Sequence, residues 1–275
     1  MFPEKNKYSE FTILIIGDSC SDKFTYGDVV RLAPEAPVPV FNPKYQTENK
    51  GMAGNVEMNL KAIGVSTILL TNEEKITKTR LVDERSNQIL LRIDENDSVK
   101  PINSSQIKLV KNNVFVEQKI DAIIISDYDK GFLTEENIEF ICKNNKNVFI
   151  DTKKSLGNWC LDASFIKINH VEYEHTKFNL NKLDIEKKLI VTMSNDGCRF
   201  NGKHFPVEKV NIKDVSGAGD TVISVASLCL ALQMKPSLLA RIANLAGGLV
   251  CEEVGVVPIN TVKLKSEINR LGYLD

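Results

Sequence analysis

No C-x-x-C pair occurs among the six cysteines of this 275-residue sequence, and no zinc-like spacing joins them to its three histidines. A recognisable zinc motif is thereby excluded, and unpaired thiols in a reducing compartment are expected. No apolar run approaches the roughly 20 residues that a bilayer span requires, and the opening MFPEKNKYSE holds no apolar signal region. Neither sign of charge dominates. Lys and Arg number 35 against 36 Asp and Glu, a formal net charge of −1, so no sequence-wide field recommends nucleic acid or an anionic membrane as a partner. A G-x-x-x-x-G-K-[ST] loop is missing, as is the third glycine of a dinucleotide fingerprint. Internal repeats and low-complexity linkers are missing too. The expectation is one cytoplasmic globular domain over residues 1–275, with neither nucleic acid nor membrane as partner.

What the sequence does contain is a series of short apolar runs rich in branched residues: TILIIG at 12–17, AIIIS at 122–126, NVFID at 147–151, FIKIN at 165–169 and KLIVTM at 188–193. They lack polar alternation, the mark of strands covered on both faces of a parallel sheet. Helical spacing lies between them: Val56, Leu60 and Ile63 fall at i, i+4, i+7, and Thr134 is placed to cap the segment carrying Ile138, Ile141 and Cys142. The alternation predicts an α/β fold, a doubly wound, mostly parallel sheet with helices on both faces and ligands at the carboxyl ends of the strands. One region departs from it. QILLRID at 88–94 alternates, TRLVD precedes it across the polar turn ERSN, and VPVFNPKY at 38–45 reads as extended. A small β element from about 37–50 and 76–95 is expected, either a lid over a site or an edge hairpin.

Polar residues follow each run where a ligand would sit: Gly17 and Asp18, Asp127 and Lys130, Asp151 and Lys153, Asn169 and Glu172, then Thr192, Ser194 and Gly197. Singly these read as loop residues or caps; together they mark one edge of the sheet. DVSGAGDTV at 214–222 adds a glycine turn before a long apolar helical run. Small residues let a turn approach a ligand, and helix-opening N–H groups point at what lies there. Gly217, Ala218 and Gly219 then suit a phosphoryl group in flight, and Asp220 is placed to take a proton from an attacking hydroxyl.

With DVSGAGDT, NHVE and the early glycine-asparagine turn in view, the sequence resembles the ribokinase-like (PfkB) sugar kinases. GDSCSDKFTYGDVVRLAPEAPVPVF, ISDYDKGFLT and ITKTRLVDERSNQILLRID resemble most the D-glycero-D-manno-heptose 7-phosphate kinases, which phosphorylate the anomeric hydroxyl on the route to ADP-heptose and lipopolysaccharide core. The resemblance runs from about residue 11 to about residue 258. It implies a ribokinase-like fold, ATP and Mg²⁺ as cofactors, Asp220 as catalytic base and the amides of Gly217, Ala218 and Gly219 as anion hole. It also implies that Asn169 and Glu172 organise Mg²⁺ through water. Lys153 then neighbours the phosphates, Thr192, Ser194 and Gly197 lie on the nucleotide side, and Asn244 lies near the adenine. Asp18, Gly51, Asn55, Asp127 and Lys130 fall on the sugar side, with Arg92 reaching the substrate's own phosphate. A homodimer through the lid, a small-molecule sugar phosphate as partner and a separate adenylyltransferase complete the expectation.

Two departures stand out. The family's early Gly-Gly pair reads Gly51-Met52, and ILLTNEEKITKTR passes from a core strand to the lid almost without connection, where relatives insert a further helix and strand. Two other readings therefore stay open: a ribokinase-like kinase of another sugar or a nucleoside, and a catalytically silent binder of sugar or nucleotide.

Overall fold

TILIIG is buried along its whole length because its alternate residues enter different cores: Ile13 and Ile15 pack on one side of a sheet, Leu14 and Ile16 on the other. That two-sided burial is why the run shows no polar alternation. The computed structural model describes residues 8–112, 119–180, 183–208 and 211–273, so most of the opening MFPEKNKYSE lies outside the described residues. In chain order the strands are β1 Thr12–Gly17, β2 Ser19–Leu32, β3 Pro39–Met52, β4 Ser66–Thr71, β5 Ile76–Asp83, β6 Ile89–Glu95, β7 Ala122–Asp127, β8 Val148–Thr152, β9 Phe165–Asn169, β10 Leu189–Thr192, β11 Cys198–Phe200 and β12 Lys203–Phe205. The helices are α1 Ala53–Ile63, α2 Ser104–Asn112, α3 Glu135–Asn144, α4 His170–Leu180, α5 Ala218–Ala231, α6 Pro236–Val250 and α7 Thr261–Arg270.

Eight strands form the main sheet in the order β12-β11-β10-β9-β8-β7-β1-β4. The stretch from β10 to β4 is parallel throughout, and only β11 and β12 run antiparallel at the edge. All five predicted runs are strands of it. One core packs α1, α5, α6 and α7 against the sheet; the other packs α3 against its opposite face. The doubly wound expectation is met. Thr134 caps α3 in a reciprocal capping box with Asn137, as its position before the apolar pattern predicted. Gly64 closes α1 in the left-handed conformation at φ 97°.

The second sheet has four strands in the order β3-β2-β5-β6. Its extent corrects the expected 37–50 and 76–95: the long strand β2 belongs to it, leaving β1 after the single residue Asp18, and β3 runs on to Met52. β2 pairs antiparallel with β3 and parallel with β5, which pairs antiparallel with β6. Only residues 72–75 separate β4 from β5, and among the described residues β4 is one edge of the main sheet, opposite β12.

Candidate active site

The turn before α5 brings the sequence's glycines to the carboxyl edge of the main sheet. Gly217 adopts φ 79°, a conformation that a side chain would resist. Gly219 leaves room for another group: a Cβ there would lie 2.7 Å from the Lys167 ammonium. Lys167 was not foreseen. It is buried beside Asp151 at 2.8 Å, in the middle of β9. Burial by itself would lower its pKa, but Asp151, with Glu172 and Asp220 behind it, reverses the effect and holds the ammonium charged.

Asp220 sits in the first turn of α5 and is almost wholly buried. Both of its oxygens have donors: Asn55 Nδ2 at 2.9 Å on Oδ2, and the Tyr128 hydroxyl at 2.6 Å on Oδ1. Burial raises its pKa to about 6, against the lowering effect of those two donors. A carboxylate that is ionised at neutral pH yet close to its titration point has the profile of a general base.

Two cavities share Tyr128 and Gly217 in their walls beside this carboxylate, which itself lines only the smaller. The larger, ≈ 530 Å³, has Gly217, Ala218, Gly219, Lys153 and Lys167 in its wall together with the apolar Met193, Val207, Ile212 and Val215. Asn169, Thr192, Ser194, Gly197 and Asn244 line it as well, so the residues expected on the nucleotide side are brought together. Asn244 donates to the Pro206 carbonyl at 2.9 Å and ties α6 to the segment after β12. Glu172 stands behind this wall: it accepts from the Asn169 backbone at 2.7 Å and from its amide at 2.6 Å, and it pairs with Lys153. With its oxygens so engaged, the Asn169–Glu172 pair could hold a cation only through waters. Among the described residues, no group of three or more His, Cys, Asp or Glu could hold a metal ion directly.

The smaller cavity, ≈ 150 Å³, has Asp220 in its wall together with Lys78, Arg80 and Arg92 from the second sheet. Arg80 pairs with Asp22 at 2.7 Å and lies over the Phe24 ring, and Arg92 makes a two-pronged pair with Asp94. Lys78 is only 7% exposed, and among the described residues its ammonium has neither an ion pair nor a hydrogen bond. Burial accordingly pushes its pKa down. Lys78 and Arg80 escaped the sequence reading although a signal existed: they occupy the inward positions of β5, in register with Ile76 and Val82, where apolar residues belong.

Of the residues expected on the sugar side, only Arg92 reaches this cavity's wall. Asp18 is fully buried and accepts from the backbone N–H groups of Tyr128, Lys130 and Phe132, so it shapes the loop after β7. Asp127 is held by Thr152 and Lys154, and Lys130 pairs with Asp97. Asn55 is turned to Asp220. Gly51 admits the Asp22 carboxylate, which a Cβ would meet at 2.3 Å. Beside it Met52 adopts φ 58°, ψ −131°, with its buried side chain packed on Cys20 and Ile76. A methionine there keeps a glycine-like backbone at a cost on the order of 1–3 kcal/mol.

Comparison with known proteins bears directly on this arrangement. Residues 53–262, which span the small-sheet strands β5 and β6 and the Asp220 turn, match the pfkB family carbohydrate kinase. The chain belongs to that family. It is a sugar kinase of the pfkB type. Among curated relatives, the Bifunctional protein HldE of Desulfatibacillum aliphaticivorans is 31% identical over 316 residues; the match covers 95% of this chain and 64% of the relative. The chain thus spans less than two thirds of that relative's length. Solved structures share the fold at low identity. Phosphofructokinase-2 from Escherichia coli superposes with TM-score 0.71 at 14% or lower identity in its forms, 13% in the potassium-bound form, which is covered to 99% while 95% of this chain is covered. Ribokinase from Thermotoga maritima superposes with TM-score 0.68 at 15% identity, covering 94% of this kinase and 99% of its own chain. The ribokinase-like fold class is therefore established for this pfkB-family kinase.

Proposed function

We propose that this sugar kinase transfers the γ-phosphate of ATP to the anomeric hydroxyl of D-glycero-D-manno-heptose 7-phosphate, with Asp220 as general base. The observation that carries the reading is the small cavity. Asp220 and three cationic side chains share its wall, as an acceptor with one reacting hydroxyl and one distant phosphate requires. An uncharged sugar or a nucleoside would leave Lys78 desolvated and unpaired. The choice of a heptose rests on the sequence resemblance and draws support from the HldE relatives.

In this reading the larger cavity takes the nucleotide, its apolar residues and Asn244 meeting the base and its glycines meeting the phosphates. Lys153 and Lys167 offset the phosphate charge, and the N–H groups at the start of α5 receive the charge that develops on the transferred group. Mg²⁺ fits the Asn169–Glu172 pair in the outer-shell manner that its reluctance to shed water favours. Held there through water by Asn169 and Glu172, the ion would supply positive charge against the phosphates. Asp220 takes the proton of the sugar hydroxyl as that oxygen attacks.

We read the four-stranded sheet as a lid carried by a single kinase domain, and its outer strand as a dimer contact. β6 is an edge strand on which Ile89, Leu90, Leu91 and Ile93 are all exposed; a second copy would cover them. We assign the adenylyl transfer expected later on the route to residues other than those of this fold. The test is phosphoryl transfer from Mg·ATP to heptose 7-phosphate, unphosphorylated heptose, fructose 6-phosphate and ribose. Preference for heptose 7-phosphate supports the reading, and preference for an unphosphorylated sugar defeats it.

A further inference from the structure

Tyr128 contributes the only side chain, among the described residues, that walls both cavities; Gly217 is the other shared residue. Its hydroxyl donates to Asp220 Oδ1 at 2.6 Å, while Asn55 occupies Oδ2. The phenol is held from behind: the Tyr128 backbone N–H donates to Asp18 Oδ2 at 2.8 Å, and the Lys153 ammonium lies 5.3 Å from the ring centroid. Burial first, and then the charge of Asp220, push its pKa well above the usual value of 10, so the group stays a donor and cannot itself be the base. Besides Tyr128, the charged or titratable groups around Asp220 are Asp151, Lys167 and Cys20, with Asp22, Lys78, Arg80 and Arg92 in the wall of the same small cavity. None of these donates a hydrogen bond to its Oδ1.

We propose that Tyr128 is a positioning residue that caps Asp220: its phenol holds the seat of the acceptor hydroxyl until a sugar displaces it, and so denies the base to water. The inference rests on the reading of Asp220 as general base. When the sugar enters, the phenol swings off with its own proton. The sugar hydroxyl gives its proton to Asp220, its oxygen bonds to the γ-phosphorus, and the bond to the bridging oxygen breaks with ADP as leaving group. With the cap gone and no sugar bound, water would follow the same course and yield ADP and inorganic phosphate. Lid closure excludes water only once a sugar is present; a side-chain cap protects ATP before that.

The test is Tyr128→Phe, which keeps the ring and removes the donor. ATP hydrolysis without acceptor should rise roughly tenfold, within what a positioned base contributes, and the gain should vanish in Tyr128→Phe/Asp220→Asn. The acid limb of kcat/KM for heptose 7-phosphate should move up by about one pH unit, because a donor to the carboxylate is lost. Calorimetric ATP binding equal to wild type shows that the variant is folded. Unchanged hydrolysis overturns the cap even if the acid limb moves, and so does a gain that survives Asp220→Asn. If Asp220→Asn alone retains phosphoryl transfer, the base assignment fails, whatever Tyr128 does.

Discussion

Replacing Lys78 with methionine should separate recognition of a phosphorylated acceptor from catalysis. Lys78 is 7% exposed and has no ion-pair partner among the described residues, so burial outweighs the attraction of Asp97 and holds its pKa down until an anion arrives. A hydrogen bond to a charged group is worth about 1.5–3 kcal/mol, and each 1.4 kcal/mol is tenfold. In Lys78→Met, kcat/KM for heptose 7-phosphate should therefore fall about 10- to 150-fold, mainly through KM, because the contact is the same in ground and transition states. Activity on unphosphorylated heptose should change little. Thermal stability at neutral pH should hold or rise: a lysine whose folded pKa is lowered costs stability wherever it is charged in the unfolded chain, and methionine removes that cost. The assay is a coupled ADP-release measurement on both sugars with a melting curve beside it. Equal losses on the two sugars, or no loss on the phosphorylated one, would refute the reasoning.

Two further outcomes follow from the same geometry. Asp220 must be ionised to accept a proton, so kcat/KM should fall below about pH 6 with unit slope and level off above it, as read from a pH–rate profile. On the second sheet, Leu91→Glu places a charge on the exposed apolar edge strand β6 and should shift the oligomer toward monomer, as read by light scattering at several protein concentrations, with the melting temperature kept.

The main sheet was legible because strands buried on both faces leave uninterrupted apolar runs, and all five runs became strands. The second sheet was only half legible. In SCSDKFTYGDVVRL the inward positions of β2 hold Cys20, Asp22 and Phe24, so a buried carboxylate paired with Arg80 breaks the apolar alternation that would have marked the strand. The glycine turn and Asp220 announced themselves, since few other roles need that spacing. Their partners did not. Tyr128 and Lys167 stand 92 and 53 residues from Asp220 in sequence, and nothing local tells a tyrosine on a loop from one that donates to the base. Asp18, Asn55 and Asp127 show the converse. Sequence reading picked polar residues at the correct edge of the sheet, but their hydrogen bonds go to the framework or to Asp220 itself, a division that only tertiary contacts decide.

The most direct test is transfer from Mg·ATP to heptose 7-phosphate by wild type and by Asp220→Asn at pH 8. Asparagine keeps the shape and removes the base. It should also stabilise the fold: a carboxylate whose folded pKa is raised loses stability as pH rises through about 6, and the substitution removes that loss. The account predicts robust transfer by wild type, a loss of roughly a hundredfold or more in a variant that still folds and binds ATP, and preference for the phosphorylated heptose over fructose 6-phosphate and ribose. Transfer that survives in Asp220→Asn would contradict it.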